Sequence, residues 1–374
     1  MKFVVSSQNL LKQLKLISGV ISTNTVLPIL EDFLFKIEKG KMTIFATDLE
    51  TSMSTELEIE SKEDGLVAIP AKLLTDTLAN LPEQPIAIDI NDDTFAVEIT
   101  TNNGKFKMNG ENGEDFPKIP VAEDVKDLAI NSVVLSDIIS KALFAVSNDE
   151  LRPAMTGVYF NFEKDGATFI ATDAHRLVRY KHKSTSLTEA TNFIVPKKAM
   201  QLLKNAVANE ETSVKIAFNS SNAFFSFNQI NLICRLIDAK YPDINPVIPV
   251  DNPNHLTVNT KDLQNSLRRI SIYANRTTHQ VKLAINGNEL NISAEDMDFS
   301  NEAKERLSCE YKGEDMEIGF NAKFLAEMLN AVDTPTINME LSTPSRAGLI
   351  IPEKDAENTD SDILMLIMPV MLNS

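Results

Sequence analysis

An internal repeat constrains this chain more than any other feature, because one pattern recurs three times along it. A strand-like hexapeptide that ends in an acidic residue occupies residues 43–48 (TIFATD), 168–173 (TFIATD) and, in a weaker copy, 290–295 (LNISAE). Its acidic residues, Asp48, Asp173 and Glu295, are 125 and 122 positions apart. We therefore expect three similar units in tandem.

Two further motifs follow the same order. Residues 69–74, 195–200 and 320–325 align on Lys72, Lys198 and Lys323, and residues 115–120 resemble 240–243 where a unit ends. Proline and charge cluster without periodicity at 120–126 and 246–254, which is typical of linkers. The predicted domains are residues 1–121, 127–249 and 254–374.

Each unit is predicted to be α+β, with two helices packed on a sheet. The first helices are expected to begin near Ser7, Ser136 and Thr260 as N-caps, and helical spacing of apolar residues supports the helix after Ser7. Alternating or β-branched and aromatic residues predict strands at 66–69, 86–90, 95–100 and 223–227.

Composition narrows the function classes. The 374 residues carry a formal net charge of -17, with 43% hydrophobic residues, no Trp and only two cysteines. No apolar run approaches the roughly 18 residues of a membrane span, so we expect a folded cytoplasmic protein without membrane contact. No glycine-rich phosphate motif and no zinc-site spacing of His or Cys occurs, so we expect no cofactor and no metal.

The charge is unevenly distributed. The six predicted helices (8–18, 71–80, 136–147, 197–208, 260–274 and 321–331) carry +7, which leaves -24 elsewhere to make the total of -17. A single such helix can be an ordinary solvated face, but the repeat places all six on one side of the sheets. Lysines without aromatic platforms or a readout motif favour loose contact with the duplex DNA backbone. The candidate DNA-facing side chains are Lys12, Lys72, Lys197, Lys198, Lys204 and Arg268.

Residues 172–177 (TDAHRL) differ from the first copy of the motif, which lacks His175 and Arg176. An acid–base pair of Asp173 and His175, a structural role, and a binding site peculiar to the second unit are the three interpretations. No nucleophile motif accompanies the pair, which disfavours a catalytic site.

The C-terminal segment stays apolar almost to its end. After a loop at 352–362, residues 363–368 predict a last strand, and Pro369 ends it with apolar residues still to come. A final core strand is one interpretation, and a methionine-rich groove for partner peptides around Met368 and Met371 is the other.

The chain resembles the bacterial replicative DNA polymerase sliding clamps, the beta processivity subunits. Motifs from all three units carry the likeness, at residues 1–3, 10–12, 27–30, 46–50, 171–177, 195–198, 241–243, 267–269, 316–321 and 368–369. The resemblance implies the DNA-clamp fold and a head-to-tail homodimeric ring around duplex DNA, with helices lining the hole. It also implies a non-catalytic processivity factor in DNA replication, whose partners are the replicative polymerase catalytic subunit, the clamp loader and other proteins with a clamp-binding motif.

The resemblance further implies two sets of site residues. Carried over position by position, the dimer contacts are Phe106, Met108, Ile272 and Tyr273. The peptide-binding cleft is Met155, Thr172, His175, Arg176, Leu177, Pro242, Val247, Met368, Pro369 and Val370.

The chain departs from the family pattern at several positions. Asn24 and the pair Pro153 and Ala154 replace an arginine and tyrosines of relatives, which places DNA contacts of those loops in doubt. Ala174 replaces a glycine, and residues 371–374 replace a shorter ending. An acidic scaffold of the same fold that does not encircle DNA is the alternative function, and a hydrolase using Asp173 and His175 is a third.

Overall fold

The structure is a computed structural model that describes residues 1–22, 27–61, 63–183, 185, 187, 189–207, 211–353 and 360–372. It forms two compact units. One comprises Met1–Ser136 with Lys198–Leu236, and the other comprises Asp137–Lys197 with Ile237–Ser374. The second sequence repeat is thus shared between the two, and the three predicted domain boundaries stay a prediction. Asn24 lies outside the described residues.

The described residues contain two α-helices in each repeat, as predicted. They are α1 (Ser7–Ile17), α2 (Ala71–Ala79), α3 (Ser132–Ala142), α4 (Lys197–Val207), α5 (Thr260–Ile270) and α6 (Ala322–Asn330). Their net charge over these bounds is again +7. None of the helices in the described ranges has the length and hydropathy of a membrane span.

Strands account for most of the remaining regular structure. The first repeat has β1 (Lys2–Ser6), β2 (Asp32–Glu38), β3 (Lys41–Thr47), β4 (Thr51–Glu58), β5 (Glu60–Ser61), β6 (Gly65–Pro70), β7 (Pro85–Ile90), β8 (Ala96–Thr100), β9 (Lys105–Asn109) and β10 (Glu111–Asn112). The second has β11 (Lys126–Asn131), β12 (Gly157–Glu163), β13 (Gly166–Thr172), β14 (Arg176–His182), β15 (Thr191–Pro196), β16 (Ser213–Phe218), β17 (Asn222–Phe227) and β18 (Ile230–Arg235). The third has β19 (Asn254–Asn259), β20 (Gln280–Asn286), β21 (Glu289–Asp296), β22 (Asn301–Ser308), β23 (Glu310–Lys312), β24 (Met316–Asn321), β25 (Thr336–Leu341), β26 (Gly348–Pro352) and β27 (Ser361–Ile367).

Two sheets join strands from different repeats. In the first compact unit a nine-stranded sheet has the order β10-β6-β2-β3-β4-β18-β17-β16-β11, beside a five-stranded sheet β5-β1-β7-β8-β9. In the second, the nine-stranded order is β15-β12-β13-β14-β27-β26-β25-β19-β23, beside a four-stranded sheet β22-β21-β20-β24. The pairs β4–β18 and β14–β27 therefore link consecutive repeats by antiparallel backbone hydrogen bonds.

The helices cover sheet faces in the way their apolar spacing predicts. Leu10, Leu14 and Ile17 of α1 are fully buried, and α1 lies against α2, β3 and β4. Each such side chain contributes about 1.5 to 3 kcal/mol by leaving water. Helix α5 lies in the same way against α6, β21 and β22.

The predicted N-caps are one residue late in the first and third repeats, and in the second repeat the helix itself begins four residues before Ser136. Ser6 and Asn259 are the caps, since their side chains accept hydrogen bonds from Asn9 N and Asp262 N. The second repeat's helix begins at Ser132 and not near Ser136. The buried hydroxyls that follow the two caps bind the chain elsewhere, because Ser7 Oγ donates to Pro82 O and Thr260 Oγ1 donates to Thr334 O.

The four predicted strands are present within β6, β7, β8 and β17, except that Phe95 lies outside β8. Its φ of 57° is left-handed, which breaks the extended conformation. The predicted last strand is β27, and it ends at Ile367, so Met368 is outside it. Part of the predicted loop at 352–362, residues 354–359, lies outside the described residues.

Asp32 at the start of β2 supports a pH-dependence prediction. It is 6% exposed, its Oδ2 atom has no hydrogen-bond partner among the described residues, and burial together with Glu111 and Glu31 raises its pKa to about 7. The folded chain therefore holds this proton more tightly than the unfolded chain, and the stability so gained is lost as pH rises toward 7.

We expect Asp32→Asn to raise the free energy of unfolding relative to the natural chain, and the gain to grow by about 2 kcal/mol from about pH 5 to about pH 8. Urea unfolding at both pH values measures it. The control is Glu58→Gln on β4, because Glu58 is exposed and is not among the groups that raise the Asp32 pKa. An equal gain from Asp32→Asn at both pH values would contradict the prediction.

Candidate functional site

The TDAHRL segment forms a tight turn between β13 and β14. Asp173 Oδ1 accepts hydrogen bonds from the backbone N–H of His175 (2.9 Å) and Arg176 (3.0 Å), and Thr172 Oγ1 donates to Arg176 O (2.7 Å). Ala174 in this turn has a φ of 74°. The turn is thus held by its own side chains.

The first repeat builds the same turn between β3 and β4. Asp48 Oδ1 accepts from Glu50 N (3.0 Å) and Thr51 N (2.6 Å), and Leu49 has a φ of 79°. The repeated Thr-Asp pair is therefore a structural turn motif. Because the Asp173 carboxylate binds its own backbone and Arg176, it does not act as the partner of a catalytic His175, and the geometry gives the hydrolase interpretation no support.

Arg176 is the most heavily bonded residue of the predicted cleft. Its Nε donates to Asp173 Oδ2 (3.0 Å), one terminal nitrogen contacts Glu327 on α6, and the other donates to Phe144 O (2.6 Å). The guanidinium carbon also lies 4.4 Å from the ring centre of Phe324. Arg176 is buried. Three of its donors are thus engaged within the chain, and its role in lining the cleft stays a prediction.

The apolar floor beside this turn is a packed cluster. Leu177 is only 2% exposed and packs in a cluster with Ile170, Ile194, Tyr241 and Leu366. The ring centroids of Tyr159 and Tyr241 are 4.7 Å apart in a stacked arrangement. Leu177 thus belongs to the packed floor of the predicted cleft, and its contact with a peptide stays a prediction.

Other predicted cleft residues offer apolar surface. Val247 is 55% exposed and Met368 is 41% exposed. Pro242 and His175 are exposed, the His175 ring stacks on Phe324, and Met155, Pro369 and Val370 are half-buried. Thr172 is buried and stabilises the turn.

The C-terminal segment is tied down on both sides of Pro369. Met368 N donates to His175 O (2.8 Å), and Val370 N donates to Gly319 O (2.8 Å) in β24. A Cβ atom at position 319 would lie 2.6 Å from Val370 O, so glycine is needed there. The core-strand interpretation of the tail is therefore correct for β27, and the residues after it, Met371 included, present apolar surface, while the peptide groove stays a prediction.

The predicted DNA-facing cations fall into two groups. Lys12, Lys72, Lys204 and Arg268 are exposed on α1, α2, α4 and α5. Lys197 Nζ donates to Asn148 Oδ1 (2.8 Å), and Lys198 Nζ binds both Asp48 Oδ2 (2.5 Å) and Val20 O (2.7 Å). Lys198 is therefore paired within the chain while 38% of its side chain stays exposed, and its role in facing DNA stays a prediction.

The predicted dimer contacts lie at two sheet edges. Phe106 on β9 is exposed, whereas Met108 is 6% exposed and faces the core, so it adds little to an outer surface. Ile272 and Tyr273 are exposed in a 3-10 turn, Ser271–Tyr273, that lies against β21 and β22. Sequence reasoning missed Met297 and Phe299, which are exposed just before β22. They follow the third copy of the repeat motif, which could have revealed them.

No metal centre is evident. The described residues contain no group of three or more His, Cys, Asp or Glu side chains placed to hold a metal ion. Burial raises the pKa of the Cys234 thiol to about 12, so this cysteine stays protonated at neutral pH.

Three family models match the chain in order. The N-terminal domain of the DNA polymerase III beta subunit matches residues 1–120, the central domain 129–243 and the C-terminal domain 245–370. The chain belongs to the DNA polymerase III beta subunit family. The three-domain α+β clamp fold, with helices packed on sheets, is thereby confirmed.

Relatives of this beta subunit chain match over its full length. It is 27% identical to the beta sliding clamp of Synechococcus elongatus over 382 residues, with all of both chains covered. It is 26% identical to that of Vibrio cholerae over 376 residues, again with complete coverage.

Solved beta subunits share its fold. The structure from Thermotoga maritima has a TM-score of 0.90 at 24% identity, and both chains are fully covered. The sliding clamp of Bartonella birtlesii, solved bound to griselimycin, has a TM-score of 0.91 at 26% identity with the same coverage.

Proposed function

We propose that this beta subunit is a DNA sliding clamp: two copies close head to tail into a ring around duplex DNA and tether the replicative polymerase through the cleft. Chemistry on DNA belongs to the polymerase, and the clamp is a non-catalytic processivity factor of the cytoplasm. The observation that carries the proposal is the strand pairing between repeats.

That pairing occurs twice within the chain and leaves a third pair of edges open. Strand β4 pairs with β18, from Thr51 with Cys234 to Thr55 with Ile230. Strand β14 pairs with β27, from Arg176 with Ile367 to His182 with Ser361. The equivalent strands are β22 and β9, and each is an edge of its sheet in the described part of the chain.

An open edge is a template for another strand. If β22 of one copy pairs with β9 of the next, the contact is heterologous, and it gives either a filament or a closed ring. The family resemblance implies closure by two copies, which makes a ring of six repeats. The exposed Phe106, Ile272 and Tyr273 lie on or beside these edges, which supports their predicted role.

The charge pattern supports a loose hold on DNA. Exposed cations lie on five of the six helices of the described residues, while the rest of the chain is strongly acidic. Phosphate contacts by such lysines are independent of sequence and sensitive to salt, as a protein that slides requires. The clamp loader and other proteins with clamp-binding motifs are the further partners of the same cleft.

Retention on circular DNA tests the function. The chain, loaded on a nicked circular duplex, is expected to stay bound through gel filtration at moderate salt and to leave when a restriction enzyme linearises the circle. A blocked-end linear duplex is the control and should retain it. Equal retention on circular and free-ended DNA would contradict encirclement and favour an acidic scaffold that binds DNA by charge alone.

A further inference from the structure

At each junction between repeats, one of the cations binds the carboxylate of the turn motif. At the first junction, within the first compact unit, Lys198 at the start of α4 reaches back to the first repeat. Its Nζ atom donates to Asp48 Oδ2 (2.5 Å) in the turn after β3 and to Val20 O (2.7 Å) in the 3-10 turn that follows α1. The Asp48 side chain is 16% exposed in this contact.

The second junction, within the second compact unit, has the same parts arranged differently. The cation is Arg176, the first residue of β14, and it does not come from the next repeat's helix. It binds Asp173 in the turn after β13, Phe144 O in the 3-10 turn after α3, and Glu327 on α6 of the third repeat. The rings of Phe144 and Phe324 both lie against its guanidinium.

The two junctions thus link consecutive repeats through the same kinds of groups in different arrangements. Each has a turn carboxylate and a carbonyl of the 3-10 turn, and a cation joins both to the second helix of the following repeat. At the first junction that helix supplies the cation, and at the second it supplies the acid that holds the cation.

We propose that Lys198 and Arg176 are positioning residues that lock each repeat to the next, and that neither acts mainly by touching DNA or peptide. This inference rests on the proposed clamp function, because the geometry of the junctions sets whether a ring can close. Each cation is already paired with a carboxylate, with the Lys198 side chain 38% exposed and that of Arg176 only 8%, and removing one partner leaves the other charge uncompensated.

Neutralising Asp48 distinguishes a positioning role of Lys198 from a phosphate-binding role, because the first predicts a shorter half-life on circular DNA and the second a longer one. Asp48→Asn keeps the Oδ1 acceptor of the turn and removes the charge that faces Lys198. If Lys198 positions the repeats, Asp48→Asn and Lys198→Met should each shorten the half-life on circular DNA roughly fivefold or more. If Lys198 binds phosphate, Asp48→Asn frees a cation and should lengthen that half-life.

Salt dependence gives the second readout. Lys198→Met should leave the slope of log half-life against log salt unchanged, while the exposed control Lys204→Met should reduce it by about one. Lys198→Arg should restore the natural half-life. A reduced slope for Lys198→Met, a longer half-life for Asp48→Asn, or no effect of either change would overturn the proposal. If the natural chain itself is not retained on circles, the clamp function fails instead.

The role of Arg176 is tested by changing Glu327, its ion-pair partner on α6. Glu327 lies on α6 and is not a predicted cleft residue, so Glu327→Gln should alter binding of a polymerase-derived peptide only through Arg176. We expect Glu327→Gln and Arg176→Lys each to weaken that binding roughly fivefold, and the double variant to be no weaker than the single ones. Undiminished peptide binding by Glu327→Gln would show that Arg176 acts as a direct contact.

Discussion

Changing Ile272 and Tyr273 together to aspartate is expected to give monomers that no longer stay on circular DNA. Both side chains are apolar and exposed, at 77% and 43%, in the turn beside the open edge strand β22. In a closed ring they would be covered by the first repeat of the partner, where Phe106 is exposed on β9. Two carboxylates buried there without partners should weaken dimerisation roughly 100-fold or more.

Sedimentation velocity over a dilution series measures this dimerisation. Leu151→Asp is the matched control, because Leu151 is also apolar and 92% exposed but lies in the connection between α3 and β12 and not on β9 or β22. The control should stay dimeric with an unchanged melting temperature. A dimer of natural affinity in the double aspartate variant would place ring closure elsewhere.

The fold was largely predictable because the same secondary-structure patterns, each weak alone, recur in three copies. A single TIFATD-like hexapeptide is an ambiguous strand signal, but three copies in register with a second motif define one architecture. The start of α3 was wrongly predicted because Ser136 also fits a helix N-cap in sequence. Ser132 is equivalent to Ser7 and Thr260, but this equivalence appears only in the hydrogen bonds of their buried hydroxyls.

The individual roles of the site residues were less predictable. Sequence places Arg176 in a distinctive motif, yet its partner Glu327 is 151 positions away, and Lys198 lies 150 positions from Asp48. Local spacing cannot show such pairing. Burial is equally hidden, since Leu177 and Met108 read as apolar surface by likeness but face packed cores.

A large loss of partner binding is expected from Met368→Asp. Met368 is exposed at the point where the chain leaves β27, with its backbone fixed by a hydrogen bond to His175 O. An apolar peptide side chain placed against Met368 and Val247 gains about 1.5 to 3 kcal/mol, and a carboxylate in that contact opposes it. We expect Met368→Asp and Val247→Asp each to weaken binding of a polymerase-derived peptide at least tenfold, from a natural affinity on the order of micromolar.

Fluorescence titration of the labelled peptide measures the affinity, and two further variants serve as controls. Val250→Asp, three residues beyond Val247 and 96% exposed, should bind normally. Leu177→Asp should lower the melting temperature sharply, because it buries a charge in the packed floor, so its loss of binding would not locate the groove. A folded Met368→Asp chain with undiminished affinity would show that the peptide binds away from the tail, and the apolar surface after Pro369 would then need another partner.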